Sequence, residues 1–179
     1  MNFIRVIFAA CFALVIQALA AGADVYQTPE KFLTQTFGAG KVPAPEIVWM
    51  TGALAAQAQA ALGHKAAALR LRYWALGARS AWILDEIGKT EAITAGFVIE
   101  NQKIAQVQVL EFRESRGGEV RHPFFTNQFI GLSLQEKGQL SEPVDGISGA
   151  TLSVRAIESM AKLALVLARH VAPAPGRAP

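Results

Sequence analysis

The chain has 179 residues, with 17 Lys and Arg against 14 Asp and Glu and three His, for a net charge of +3 at pH 7. The charges are interspersed without a basic run, so composition gives no support to nucleic-acid binding. The single cysteine, Cys11, lies in the first apolar stretch. The rest of the chain therefore has no thiol for disulfides, thiolate metal sites, iron–sulfur clusters or Cys-attached haem.

Met1 to Arg5 carries one positive charge, Val6 to Ile16 is apolar, and Ala18-Leu19-Ala20 and Ala21-Gly22-Ala23 offer small-residue cleavage sites. Residues 1–23 are thus predicted to be a signal peptide, cut after residue 20 or 23, that sends the protein to the periplasm. The apolar run is shorter than the roughly 20 residues that span a bilayer, and Gln17 interrupts it. An uncleaved membrane anchor over Val6 to Ala23 is the competing reading. Cys11 follows Arg5 too closely to be the first residue of a lipoprotein. Export would lower the net charge to +2 and leave about 155 residues, enough for one domain with one core.

Residues 24–68 read as a helical and extended approach to that domain. Thr28-Pro29-Glu30 is a helix start, with a Thr cap and Pro in the first turn. Phe32, Leu33 and Phe37 form its buried side, and Gly38 to Gly40 ends it. Pro43 and Pro45 keep Lys41 to Trp49 extended but bar it from a central strand. Leu54 to Leu62 is a second short helix, closed by Gly63.

The domain core is placed at 69–171. Leu69 to Leu76, Ser80 to Ile87, Ala92 to Glu100 and Lys103 to Phe112 carry strand patterning, with a turn at Glu100-Asn101-Gln102. They predict an antiparallel sheet, with Trp74 and Trp82 in the core. A Gly-containing loop, Arg116-Gly117-Gly118, leads to Phe124, Phe125 and Phe129, core residues of which at most one touches a ligand. Leu152, Ala156, Met160, Leu163 and Leu167 recur at helical spacing, so the chain closes with a long helix starting near Gly149. Strands first and a packing helix last make an α+β fold of a single domain. Residues 172–179, rich in Pro and Ala, are predicted to stay unpacked.

Several patterns carry no chemistry. His64, His122 and His170 lack ligand spacing, so no metal site is predicted. Gly88-Lys89-Thr90 mimics the end of a P-loop without its first glycine, and Ser159-Met160-Ala161-Lys162 has an acyl-enzyme spacing inside the predicted helix with no companion motif. No catalytic acid, base or nucleophile stands out.

The run Asp145-Gly146-Ile147-Ser148-Gly149-Ala150-Thr151 is different. It sets two glycines, two hydroxyls and a carboxylate directly before the last helix. A helix start leaves unpaired backbone N–H groups and partial positive charge, and small residues let an anion come close. With Ser148 as N-cap, Thr151 falls at the third helical position and Arg155 one turn further on the same face. The bland readings are helix capping by Ser148 and Thr151, an Asx-turn at Asp145, a solvated Arg155, and a surface ion pair between Arg113 and Glu114.

Asp145-x-x-Ser148-Gly149-Ala150-Thr151 resembles the flavinylation motif of FMN-binding domains. These occur in the C subunit of sodium-pumping NADH:quinone reductase, the G subunit of the Rnf complex and regulators of the NosR type. Two more segments agree. Glu114-Ser115-Arg116-Gly117-Gly118-Glu119 is similar to a Glu-Thr-Pro-Gly-Leu-Gly stretch of the family, with Arg116 for the proline and Gly118 for the leucine. Phe125 to Gly131 is similar to its aromatic-x-x-Gln-Phe-x-Gly segment.

The resemblance implies FMN joined covalently, through its phosphate, to Thr151 by a flavin transferase. Ser148, Gly149, Ala150, Asp145, Arg155, Glu114 and Gly117 would be the other cofactor-site residues. It implies an electron-transfer flavoprotein working between a membrane or periplasmic donor and a partner reductase. A flavin-dependent reductase of a small substrate and a non-flavin periplasmic phosphate-binding or structural module remain open at this point.

Overall fold

The computed structural model describes residues 23–172. Residues 1–22, which hold Cys11 and all but the last residue of the predicted signal peptide, and the tail from residue 173 onward lie outside the described residues. In chain order the elements are β1 (Asp24–Val25), α1 (Pro29–Phe37), β2 (Glu46–Trp49), α2 (Gly52–Leu62), β3 (Arg70–Leu76), β4 (Arg79–Ile87), β5 (Ala92–Glu100) and β6 (Lys103–Phe112). Short helical turns at Gly118–Arg121, α3 (Pro123–Thr126) and Asn127–Phe129 follow, and then α4 (Thr151–Val171). The strands form one antiparallel sheet in the order β1-β6-β5-β4-β3-β2. The α+β single domain read from the sequence is thus the fold. No helix among the described residues is long and apolar enough to cross a membrane.

The sequence starts and stops these elements as expected on local chemistry. The Thr28 hydroxyl accepts from the Lys31 amide at the head of α1, with Pro29 in the first turn and Gly38 at the C-cap. Both central residues of the β5–β6 turn have positive φ, Asn101 at 51° and Gln102 at 62°. That pair of left-handed residues matches a hairpin turn to the twist of its strands. β2 lies at the sheet edge, where its upstream prolines cost no ladder bond.

Strand alternation divides the core between two faces. Trp82, Leu84, Ile93, Ala95, Phe97 and Val107 point to the face covered by α2 and α4. Ala81, Val98 and Leu110 point to the other, where Phe32, Leu33 and Phe37 of α1 cover them. β5 is therefore buried on both sides along most of its length, which its run of apolar and small residues permits. Gly96 faces α1 at the closest approach, where a Cβ would sit 2.6 Å from Phe32 Cζ. Gly96→Ala should lift α1 off the sheet and lower stability by about 1–3 kcal/mol in denaturant unfolding.

A bulge between β5 and β6 shapes the site. The register steps from Thr94↔Glu111 to Ala95↔Val109, leaving Leu110 as the extra residue. Val109 and Leu110 point to opposite faces, as neighbours in a strand do, and the extra residue brings Phe112 onto the same face as Val109. The Leu110 carbonyl accepts from the amides of both Tyr26 and Gln27, at 2.9 and 3.2 Å. The N-terminal strand is thereby tied to β6 beside the loop that follows it.

Candidate functional site

β6 ends at Phe112, and the chain then turns back under the start of α4. Gly117 makes that turn with φ +88°, and a Cβ there would lie 2.5 Å from Ser153 Oγ and 3.5 Å from Ala150 Cβ. Only a residue without a side chain lets the loop touch the first turn of α4. The segments 114–119 and 145–151, 26 residues or more apart in sequence, meet at this contact. Gln128 ties the third segment in, because its Oε1 accepts from the Asp145 amide at 2.8 Å.

The helix begins later than expected. Ala150, not Ser148, is the N-cap, and no side chain caps it. Gly149, with φ +83°, turns the chain immediately before Ala150, so Ser148 is left outside the helix. Thr151 is consequently the first helical residue rather than the third. The first helical backbone bond runs from Val154 N–H to the Ala150 carbonyl at 2.9 Å. The amides of Thr151, Leu152 and Ser153 therefore have no acceptor within the helix. With 21 residues of aligned dipoles behind them, they form a donor set suited to a phosphate.

Thr151 is exposed and stands in a cleft of about 600 Å³ with Lys89, Arg116, Gly149, Leu152 and Ser153. Arg155 is exposed one turn below, without an ion pair among the described residues. Ser148 and Gly149 are exposed, and Ala150 is buried against Gly117. The Asp145 side chain is exposed at the start of the motif loop. A second cleft of about 520 Å³ holds Tyr26, Phe112, Gly117, Gly118, Arg121, His122 and Ser148. Glu114, Ser115, Arg116 and Gly149 line both clefts, so the two adjoin along these residues and are together called the trough.

Glu114 does not pair with Arg113, which bonds instead to Glu111, to the Ala92 carbonyl and to the Thr94 hydroxyl. The Glu114 carboxylate is turned onto the β4–β5 connection. One oxygen accepts from the amides of Lys89, of Thr90 at 2.6 Å and of Glu91 at 2.9 Å, while the other accepts from the Thr90 hydroxyl at 3.2 Å. This is where Gly88-Lys89-Thr90 finds its use: the turn grips a carboxylate, and Lys89 is presented to the Thr151 cleft. Burial pushes the Glu114 carboxyl up, but the amide bonds from Glu91, Thr90 and Lys89 outweigh it and hold the group below its ordinary value of 4.5.

A carboxyl depressed on folding stabilises the protein above its unfolded pKa, and this contribution is lost as the pH falls through the folded value. Wild-type thermal stability should therefore fall between about pH 6 and about pH 3 more steeply than that of Glu114→Gln, the two curves converging in acid. Melting curves across that range check the sign.

The aromatic segment splits between two roles. Phe125 and Phe129 are fully buried and meet edge to face at 5.4 Å. Phe124 is 62% exposed and stacks with His122, so it is not the core residue expected of it. Trp82 is buried, and Trp74 packs partly buried on the α1 side.

Tyr26, Arg121 and Ser153 carry no signal in the sequence and acquire their place only through contacts distant in it. Lys89 stands in the turn that mimics a P-loop, and Gln128 is the Gln of the aromatic segment. Among the described residues no group of three or more His, Cys, Asp or Glu gathers to hold a metal.

The trough fits a phosphate ester with a long polar tail and a flat ring. One end has free helix amides, two cations and an exposed hydroxyl, and the floor has two consecutive glycines that let a planar group lie close. A family model described as the FMN-binding domain matches residues 88–166, from the β4–β5 turn into α4. No curated protein gives a significant match to the chain.

Proposed function

Because residues 88–166 belong to the FMN-binding domain family and give the chain a flavin-binding domain, we propose that it is an exported electron-transfer protein carrying FMN covalently on Thr151. The observation that carries the proposal is the placement of Thr151: an exposed hydroxyl at the first position of a helix whose leading amides are uncapped, beside Lys89 and Arg116. The amides and cations bind the phosphate, and the hydroxyl lies where a phosphoester is needed.

In the attachment the Thr151 oxygen forms a bond to phosphorus, and the bond from phosphorus to the leaving group breaks. The hydroxyl proton leaves with the displaced group or to solvent. FMN alone would have to expel hydroxide, so the donor is an activated flavin dinucleotide from which a nucleoside monophosphate departs, brought by a flavin transferase. Lys89, Arg116 and the helix amides offset the charge that builds on the phosphoryl oxygens. Arg155, on the same helix face as Thr151, adds a further cation to the diester once formed.

When bound, FMN supplies the redox chemistry, and the chain supplies position and electrostatics. A phosphoester holds the cofactor where free flavin is scarce, in keeping with the signal-like residues 1–23, whose export would place the protein in the periplasm. The donor is a membrane or periplasmic redox protein and the acceptor a partner reductase. The carboxylate common to both clefts, Glu114, is held by three amides, which favours the carrier role over a stand-alone reductase. Intact-mass measurement of the protein co-expressed with a flavin transferase tests the proposal. The expected mass exceeds the chain by one FMN less one water, and a chain of unmodified mass that binds no flavin overturns it.

A further inference from the structure

The trough has a second end, and it is built partly by residues outside the family segment. β1 and the residue after it bring Asp24 and Tyr26 alongside Arg121 and His122. The Arg121 guanidinium lies over the Tyr26 ring, 4.8 Å from its centre, and donates to the Tyr26 hydroxyl at 3.2 Å and to the Gly118 carbonyl at 3.3 Å. The Tyr26 hydroxyl in turn donates to Asp24 Oδ2 at 3.3 Å. Two amide bonds to the Leu110 bulge fix the backbone at Tyr26 and Gln27. Among the described residues no carboxylate lies within salt-bridge distance of Arg121.

Gly118 keeps this end open. A Cβ there would come within 3.1 Å of Arg121 Nη1, 3.6 Å of Phe112 and 3.7 Å of the Tyr26 hydroxyl. A planar group entering from Thr151, past Gly149 and Arg116, would lie on the bare Gly117-Gly118 backbone with Tyr26 and Arg121 at its far edge.

We propose that the Tyr26–Arg121 pair is the ring-end clamp of the flavin trough, with Arg121 setting the redox potential and Tyr26 positioning Arg121. This rests on the flavin reading of the site but concerns residues that the motif does not include. Two-electron reduction of the ring system by a low-potential donor takes up two electrons and one proton, leaving one negative charge on the N1 and C2-carbonyl edge. A guanidinium there interacts more strongly with the reduced form than with the neutral oxidised one, and so raises the potential. Burial, the largest influence, keeps the Tyr26 phenol protonated to higher pH than usual, with the Arg121 charge opposing it. The hydroxyl therefore stays a donor to Asp24 while it accepts from Arg121.

The test is a dithionite titration of the flavinylated protein against reference dyes. Arg121→Gln should lose at least tenfold in preference for the reduced form, a fall of about 30 mV or more for a two-electron couple. Arg121→Lys should recover most of it. Tyr26→Leu should lower the potential less and brighten the native flavin emission, because an electron-rich phenol in contact with the ring quenches it. Tyr26→Phe, which keeps the ring but not the hydroxyl, separates stacking from the hydrogen bond.

A flavin-loaded Arg121→Gln with wild-type potential, or a Tyr26→Leu with unchanged native emission, overturns the clamp. Fluorescence of the denatured band reports attachment separately. Its presence in all variants shows that a negative result falls on the clamp alone, whereas wild-type protein without any flavin removes the parent reading and this one with it.

Discussion

Thr151→Val is expected to leave no flavin on the denatured protein. In-gel fluorescence should disappear and the intact mass should return to that of the bare chain, while the melting temperature should stay close to wild type. The argument is geometric. Val has the shape and β-branching of Thr but no hydroxyl, so the one atom removed is the one that would bond to phosphorus. Thr151 is exposed at the first helical position and makes no capping bond, the cap being Ala150 without a side-chain contact. A surface change of this kind shifts stability by about 0.5 kcal/mol or less. Folding and attachment therefore separate cleanly. Ser148→Ala, which removes the other motif hydroxyl outside the helix, should keep the fluorescent band. Persistence of the band in Thr151→Val, or its loss in Ser148→Ala with Thr151 intact, places the linkage elsewhere.

The same site shows how far local reading reaches. Elements whose limits are written in neighbouring residues came through: Thr28-Pro29 opens α1 and Gly38 closes it, and Asn101-Gln102 turns β5 into β6. The sheet faces followed from alternation, except across the Leu110 bulge, where the period of two slips. β1 had no signal of its own; two residues form a strand only because β6 offers them an edge. At the motif, Ser148 looked like a better cap than Ala150 because hydroxyls are the usual cap. The left-handed Gly149 and the contact between Ala150 and the Gly117 loop override that preference, and that contact depends on a segment more than 25 residues upstream. Glu114 shows the same limit. Its nearest charged neighbour in sequence is Arg113, yet its partners are the amides of 89–91 across the strand end. Tyr26 and Arg121, 95 residues apart, could not be joined by any local rule.

Gly117→Ala should be the most damaging single methyl in the site. Two costs add. At φ +88° an alanine is strained, worth about 1–3 kcal/mol, and its Cβ would sit 2.5 Å from Ser153 Oγ, an overlap that costs a further 1–3 or so kcal/mol. Ser153 is buried on the first turn of α4 and cannot swing away freely. The overlap is relieved only if the 114–119 loop and the start of α4 move apart, which separates Arg116 from the amides at Thr151. The variant is therefore expected to lose about 2–6 kcal/mol in urea unfolding and most of its flavin attachment together. A second substitution tells strain from overlap. Ser153→Ala deletes the atom in conflict, so Gly117→Ala/Ser153→Ala should recover the steric share but keep the backbone share, a coupling measurable in a double-mutant cycle. If the pair is no more stable than the single variant, the two segments are not held in register by this contact, and the trough depends on the Gln128–Asp145 bond instead. If stability recovers and flavinylation follows it, the closeness of loop and helix is what makes Thr151 a site rather than one more hydroxyl at a helix end.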